Sequence, residues 1–404
     1  MSENQTSGIT VYVALPVMDE EENINRCVAA IKKQTFTNYR LFACVNQPDV
    51  WWDDALKTEV CLANARVMAM LRDAGAFIID RTSKGKGWQG KDIGVGWARK
   101  VIMDKINDIA SSSDIIVSTD ADTVFGTHYF ESIVHLFNKY PDRLALSNPY
   151  YHCLTGDEVL DRAMLRYEIY MRCYALNLWH ISSPFAFTAL GSAIALPVSV
   201  YRKTGGMTPK KSGEDFYFLQ KIRKAGKIIT WNAEKVYPAT RYSDRVFFGT
   251  GPALIKGQNG DWKSYPIYHR CLYEEIRQTY ALFEKLFHGD TETPLDSFIH
   301  NQLHEKDIWT SLRNNTKTLN SFVAACHQKI DGLRILQFLK WKNDLQNVSD
   351  EASLIDFLAY YYANEWTLSM DNFSFAESSI ALLDDVRNFL AKKEDEFQYN
   401  NMFI

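Results

Sequence analysis

Hydrophobic and polar positions divide the first 120 residues into short apolar runs separated by longer amphipathic stretches. Four apolar runs have the length and composition of strands: 9–15, 40–45, 76–80 and 114–119. Three stretches between them repeat apolar residues at helical spacing: 20–34, 54–74 and 91–108. This β-α-β-α-β-α-β order predicts an α/β fold with a mostly parallel sheet flanked by helices. The carboxyl ends of its strands would share one edge, where ligands bind.

The pattern becomes mostly helical after about residue 150. Residues 157–180 predict a long amphipathic helix, 189–196 a further strand, and 215–224 a helix that ends at Gly226. Four later stretches also have helical periodicity: 266–287, 318–346, 351–364 and 379–394. A shift in composition near residue 258 predicts two parts, an α/β domain over 1–258 and a helical domain or extension over 259–404.

Composition excludes several classes of protein. Lys and Arg number 45 against 49 Asp and Glu, so the net charge of −4 argues against a nucleic-acid partner. The seven cysteines include no Cys-x-x-Cys pair, which argues against a cysteine metal site. No apolar stretch reaches the length of a transmembrane helix, and the polar start does not resemble a signal peptide. A cytoplasmic protein is therefore expected, with peripheral membrane contact left open.

The strongest chemical motif is Asp120-Ala121-Asp122, which follows the fourth predicted strand. Carboxylates at positions i and i+2 of a strand end can approach one point at the ligand-binding edge of the sheet. Their mutual repulsion is relieved by a divalent cation, which could also neutralise a diphosphate leaving group. The alternative is a turn in which these aspartates cap the next helix.

A second acidic motif, Ser212-Gly213-Glu214-Asp215, opens the predicted helix 215–224. Acidic residues at a helix start are stabilised by the helix dipole in any protein, so a purely structural role is one interpretation. In the other, Asp215 is a general base that removes a proton from an attacking hydroxyl, with Glu214 beside it.

Two basic segments could contact phosphate. Residues 84–90 contain Gly-x-Gly-x-x-Gly, but this nicotinamide-binding pattern normally follows the first strand and here follows the third. Lys86 in that loop nevertheless suits a phosphate-bearing ligand, and a solvated turn is the alternative. Arg241 and Arg245 precede a glycine turn at 249–251 and could clamp a phosphate or sugar, or belong to a structural loop.

Taken in order, these segments resemble the family 2 glycosyltransferases over roughly residues 9–255. Residues 11–22, VYVALPVMDEEE, are similar to the opening strand and acidic segment of that family, and Gln34-Thr35 is similar to the end of its first helix. Residues 120–122 resemble its metal motif. Gly205-Gly206 followed by 213–215 resembles its acceptor-side signature.

The resemblance implies a GT-A fold, which is Rossmann-like, and makes 1–258 the catalytic domain. It implies metal-dependent transfer of a hexose-type sugar from a nucleotide-diphosphate sugar, with a UDP-sugar favoured, to a hydroxyl of a glycan, lipid-linked or small-molecule acceptor. The transfer would be inverting. Transmembrane helices and the Gln-x-x-Arg-Trp signature of membrane synthases are not apparent, so a processive polysaccharide synthase is not expected.

The resemblance also implies roles on the nucleotide side of the site. Pro16 and Met18 would line the nucleoside pocket, with Glu20 in the same segment. Asn46 stands where the family usually has an aspartate for uracil, and an amide can also pair with a base edge. Lys86 stands where a basic residue often meets the diphosphate.

On the reaction side, the resemblance implies that Asp120 faces the ribose or sugar and that Asp122 binds Mn²⁺ or Mg²⁺. Asp215 would be the base, with Glu214 next to it.

Three other functions compete with this interpretation. Asp120-Ala-Asp-Thr-Val124 fits the motif of haloacid-dehalogenase-like phosphohydrolases, with Asp120 as nucleophile and Asp122 as acid/base, but that motif usually follows the first strand of its domain. A nucleotidyltransferase usually carries a basic glycine-rich loop after its first strand, where 16–22 is acidic here. A non-catalytic nucleotide-sugar binder would share the binding residues and not need Asp215.

Overall fold

The computed structural model describes residues 8–91, 93–211, 213–245, 249–346 and 348–404. The strands are β1 (Val11–Val17), β2 (Tyr39–Asn46), β3 (Phe77–Arg81), β4 (Ile115–Ser118), β5 (Thr123–Phe125), β6 (Leu146–Ser147), β7 (Ile194–Pro197) and β8 (Val236–Pro238). The helices up to residue 258 are α1 (Ile24–Lys32), α2 (Thr58–Asp73), α3 (Val95–Ile109), α4 (Tyr129–Lys139), α5 (Glu158–His180), α6 (Val198–Lys203), α7 (Glu214–Ala225) and α8 (Thr250–Gln258).

Six strands form one sheet in the order β3-β2-β1-β4-β7-β6. β1 pairs in parallel with β2 and β4, and β2 with β3, while β7 is antiparallel to β4 and β6. The predicted α/β fold with a mostly parallel sheet and a helical C-terminal region is therefore confirmed. β5 and β8 form a separate antiparallel pair, which the sequence pattern did not predict.

β1 is fully buried and continues past the proline at which the sequence pattern ended it. The carbonyl of Ala14 accepts from the backbone N–H of Thr119, directly after β4. The backbone N of Pro16, two residues further along β1, points to the same side as the Ala14 carbonyl, towards β4. The pairing of β1 with β4 ends at Ala14 and Ser118, so no β4 residue lies opposite Pro16. The missing N–H of Pro16 therefore removes no ladder hydrogen bond, and the strand can extend to Val17.

Two of the four helices predicted beyond residue 258 are each divided in two, and the last one extends further than predicted. They are α9 (Arg270–Ala281), α10 (Phe283–His288), α11 (Asp296–Leu303), α12 (Ile308–Asn314), α13 (Leu319–Lys329), α14 (Gly332–Asn343), α15 (Asp350–Tyr362) and α16 (Ile380–Asn400). The single helices predicted over 266–287 and 318–346 are wrong, because each is divided in two. The Asp331 side chain accepts from the backbone N–H of Arg334, and this cap begins a new helix within the second stretch.

The chain groups into two compact units. The first comprises 8–164, 187–261 and 398–404 of the described chain, and the second comprises 165–186 and 262–397. Residues 165–186 are thus grouped with the C-terminal helices, and 398–404 with the sheet. The sequence analysis instead expected two uninterrupted parts, 1–258 and 259–404. Among the described residues, no helix is both long enough and apolar enough to cross a bilayer.

Candidate active site

The carboxyl ends of β1, β2 and β4 border a cavity of about 230 Å³ in the first unit. Every predicted site residue except Lys86 lines it: Pro16, Met18, Glu20, Asn46, Asp120, Asp122, Glu214, Asp215, Arg241 and Arg245. Parallel strands place their carboxyl ends at one edge, which explains how Pro16, Asn46 and Asp120 meet here. Ser212 and 246–248, which belong to two of the motifs, lie outside the described residues.

The two aspartates of the Asp-x-Asp motif lie between β4 and β5, and each is held by an arginine. Asp120 Oδ1 accepts from Arg99 Nη2 at 2.8 Å. Asp122 Oδ2 accepts from Arg241 Nε at 3.0 Å and from Arg241 Nη2 at 2.6 Å. Burial raises the pKa of Asp122, and the neighbouring Arg241 opposes this shift. Helix α4 begins only at Tyr129, so these aspartates do not cap it.

Arg99 is the central residue that the sequence analysis missed. Its side chain is 2% exposed, and its guanidinium binds Asp120, Glu214 Oε1 at 3.2 Å, Ser118 Oγ and the carbonyl of Gly191 at 3.0 Å. One buried cation thus joins the Asp-x-Asp motif to the Glu214-Asp215 motif. A signal was present in the sequence, since this arginine occupies the apolar face of α3 in register with Ile102, Met103 and Ile106.

The two acidic residues at the start of α7 have different environments. Gly213 precedes them in the left-handed conformation, with a φ of 74°. Glu214 is buried and ion-paired with Arg99. Asp215 is half-buried, and its Oδ1 accepts from the backbone N–H of Phe216 at 2.8 Å. Burial, followed by repulsion from Glu214, raises the pKa of Asp215 to about 7. Asp215 is therefore a carboxyl group that can exchange a proton near neutral pH.

Close packing between α3 and the segment before α7 sets the position of this acidic pair. A Cβ built on Gly96 would lie 2.8 Å from the backbone N of Lys210, closer still to its carbonyl oxygen, and 3.2 Å from Glu214 Cβ. Only glycine lets the two segments approach this closely, because the two nearest atoms that a side chain would meet belong to the backbone of Lys210.

We expect Gly96→Ala to destabilise the protein by about 1–3 kcal/mol, because the added methyl group must push Lys210 and Glu214 away from α3. Denaturant unfolding monitored by tryptophan fluorescence would measure this loss. Gly289→Ala is the control, since a Cβ there meets no atom within 4 Å. Equal stability of the two variants would contradict the close approach at Gly96.

Glu20 ties two arginines to the end of β1. Its Oε1 binds Arg241 Nη2 and Arg245 Nη1, each at 2.6 Å, and its Oε2 accepts from Asn23 Nδ2 at 3.0 Å. Burial, followed by repulsion from Asp122, raises the pKa of Glu20 to about 8. Arg245 Nη1 also donates to the carbonyls of Met18 and Asp19. The loop that begins at Arg241 is thereby attached to the edge of the sheet.

Two predicted nucleotide contacts are occupied by protein partners. Asn46 Nδ2 donates to the carbonyl of Val17 at 2.8 Å, and its Oδ1 accepts from Trp88 Nε1 at 2.9 Å. The amide thus retains one N–H and one lone pair for a base. Lys86 does not line the cavity, and its Nζ lies 3.1 Å from Asp80 Oδ2.

Asp120 and Asp122 fit a hard divalent cation. Mg²⁺ is commonly bound through one or two carboxylates together with substrate phosphates and water, and Mn²⁺ also accepts oxygen ligands. In the part of the chain that the structure describes, no group of three or more His, Cys, Asp and Glu side chains is arranged around one point. Ligands beyond these two aspartates would therefore come from a phosphate-bearing substrate and from water.

No protein-family model matches the sequence, and no curated protein matches it. Among solved structures, S. aureus TarS 1-349 in complex with UDP-GlcNAc is 10% identical, with 90% of this chain and 94% of that chain covered at a TM-score of 0.39. The mannosyltransferase PcManGT from Pyrobaculum calidifontis, in complex with GDP-Man and Mn²⁺, is 14% identical over 96% and 86%, with a TM-score of 0.37. Glucosyl-3-phosphoglycerate synthase from Mycobacterium tuberculosis, in complex with Mn²⁺, UDP-Glc and phosphoglyceric acid, is 12% identical over 63% and 80%, at 0.33. Such distant likenesses do not assign this chain a function.

Proposed function

We propose that this chain is a metal-dependent GT-A glycosyltransferase similar to those of family 2. Its catalytic site would be the cavity at the carboxyl ends of β1, β2 and β4. The observation that carries the proposal is one buried guanidinium, Arg99, which binds both the Asp-x-Asp motif and the acidic pair at α7. The residues proposed for the diphosphate and those proposed for proton transfer thus border the same cavity. The donor would be a nucleotide-diphosphate sugar, with a UDP-sugar favoured, and a cytoplasmic location stays a prediction.

The charge of the cavity supports co-binding of a divalent cation. Its ionisable lining residues are five carboxyl and three guanidinium groups: Glu20, Asp120, Asp122, Glu214, Asp215, Arg99, Arg241 and Arg245. Burial and repulsion between carboxyl groups raise the pKa of Glu20, Asp122 and Asp215, which indicates that further negative charge is disfavoured in this cavity. A nucleoside diphosphate adds such charge, and a divalent cation that enters with it would offset the repulsion. Mn²⁺ or Mg²⁺ held by Asp122 and Asp120 would neutralise charge on the diphosphate leaving group.

The protein's own groups then supply the proton transfer. Asp215, in its carboxylate form, would accept the proton of an acceptor hydroxyl as that oxygen attacks the anomeric carbon and the diphosphate leaves. Glu214 remains paired with Arg99 and would hold the start of α7 in position. A single displacement of this kind inverts the anomeric configuration.

A thermal-shift screen of UDP, GDP and their sugars, with and without Mn²⁺, tests the donor and the cation together. We expect nucleotide and Mn²⁺ together to stabilise the wild type more than either ligand does alone, by the linkage between binding and unfolding. Asp122→Ala should abolish this metal-dependent shift. An unchanged shift in the variant would argue against the assignment. Phosphate release from simple esters without any nucleotide-sugar would favour the phosphohydrolase.

The raised pKa of Asp215 predicts the direction of the pH dependence. A carboxyl group with a pKa of about 7 is largely protonated in weakly acidic solution and cannot then accept a proton. The value of kcat/KM, which reports the ionisation of the free enzyme, should therefore rise with pH and level off above about pH 8. Steady-state kinetics across this range would show the rise, and a kcat/KM profile already flat from about pH 5.5 upwards would exclude Asp215 as the titrating base.

A further inference from the structure

Arg241 binds one carboxylate oxygen of Asp122, the aspartate that the proposed function assigns to the metal. Its guanidinium makes two hydrogen bonds to Asp122 Oδ2, and its Nη2 also lies 2.6 Å from Glu20 Oε1. A positive group therefore already neutralises the aspartate that the proposed function assigns to the metal. A divalent cation that binds this oxygen must displace the arginine from it.

We propose that Arg241 is an exchangeable counter-ion, which pairs with Asp122 until cation and nucleotide enter and then turns to the diphosphate. The proposal rests on the proposed function and extends it with a positioning residue. In the exchange, Asp122 passes from the guanidinium to the metal, and the freed N–H groups of Arg241 pair with phosphate oxygens. After the exchange, Asp122 would be paired with the metal and the diphosphate with both the metal and Arg241.

The surroundings of Arg241 suit such an exchange. Its side chain is 26% exposed and that of Asp122 is 20% exposed, so both groups are accessible from the cavity. Glu20 is 7% exposed and binds Arg241 from the end of β1, so the arginine can release Asp122 and remain attached to the site. Arg99 differs, because it is 2% exposed and has four partners, which fit a fixed role.

The exchange couples the two ligands. Mn²⁺ alone must compete with Arg241 for Asp122, which weakens its apparent affinity. When the diphosphate is present, the displaced guanidinium gains a new partner, so the same competition costs less. Arg241 should therefore weaken the binding of Mn²⁺ alone and strengthen the binding of nucleotide in the presence of Mn²⁺.

Direct measurement of Mn²⁺ and UDP binding tests these two opposite effects of Arg241 without any assay of turnover. Free Mn²⁺ would be counted by electron paramagnetic resonance during titration of the full chain, and UDP affinity at saturating Mn²⁺ would be measured by calorimetry. We expect Arg241→Gln to bind Mn²⁺ alone at least about 10-fold more tightly than the wild type, and UDP with Mn²⁺ at least about 10-fold more weakly.

Arg245→Gln is the matched control, because Arg245 contacts the same Glu20 oxygen but makes no described contact with Asp122. A general charge effect would raise Mn²⁺ affinity alike in both variants, whereas exchange predicts less than about a threefold change for Arg245→Gln. Arg241→Lys is a second test if the glutamine variant does not fold. A lysine keeps the charge but cannot make both hydrogen bonds to Asp122, so its Mn²⁺ affinity should be intermediate.

The outcomes separate this proposal from the function on which it rests. Equal Mn²⁺ affinity in the wild type and Arg241→Gln, with Asp122→Asn abolishing binding, would overturn the exchange and leave the metal site intact. Equal rises in Arg241→Gln and Arg245→Gln would also overturn it. Failure of the wild type to bind Mn²⁺ with or without UDP would overturn the metal-dependent function itself.

Discussion

Asp215→Asn is expected to lower turnover by about 10²–10⁴-fold, the range typical of a lost general base, with little change in nucleotide-sugar affinity. The amide has nearly the shape of the carboxylate, and its oxygen can still accept from the backbone N–H of Phe216. It cannot take a proton from the acceptor. Asp215 has no described ion pair with Arg99, so the change should leave the Asp-x-Asp motif in place. Single-turnover rates and calorimetric donor affinity would measure the two effects separately.

Glu214→Gln is the informative comparison for that variant. Glu214 is buried and binds Arg99, so losing its charge should reduce stability and disturb the Asp120 side of the cavity as well as the rate. Selective loss of turnover in Asp215→Asn, against combined loss of stability and binding in Glu214→Gln, is the expected contrast. If Asp215→Asn retained wild-type rates, the base would have to be another group.

The site could be predicted from the sequence to the extent that it depends on strand ends. Asp120, Asp122 and the segment at Pro16 each follow an apolar strand, and parallel pairing alone brings such positions to one edge. Contacts made between side chains could not be predicted in this way. Neither the pairing of Lys86 with Asp80 nor that of Asn46 with Trp88 has any signature in residue spacing.

Helix boundaries in the C-terminal half were harder to predict for a related reason. Periodicity continues through Leu282, between α9 and α10, and through Ile330 and Asp331, between α13 and α14. Both neighbouring helices have apolar faces, so the hydrophobic pattern does not mark the break between them. A single capping side chain, Asp331, marks the second break, and an aspartate inside an apolar pattern equally predicts a solvent-exposed helical position.

Arg99→Met is expected to destabilise the protein by about 3–5 kcal/mol, the usual cost of removing one partner from a buried ion pair. The methionine fills much of the same volume, so the loss is chiefly electrostatic. Asp120 and the buried Glu214 would lose their shared cation, and the carbonyl of Gly191 would lose a donor. The unfolding midpoint in denaturant, followed by circular dichroism, measures the effect.

Arg66→Met provides the surface control for that change. Arg66 also binds two carboxylates, Glu21 and Glu59, but it is 47% exposed, so water can replace its charge and the midpoint should scarcely move. The double variant Arg99→Met with Glu214→Gln should recover part of the lost stability, because the uncharged amide costs less to bury than an unpaired carboxylate. No recovery would mean that Arg99 stabilises the fold through packing. In that case the structural link between Asp120 and Glu214 would not be electrostatic.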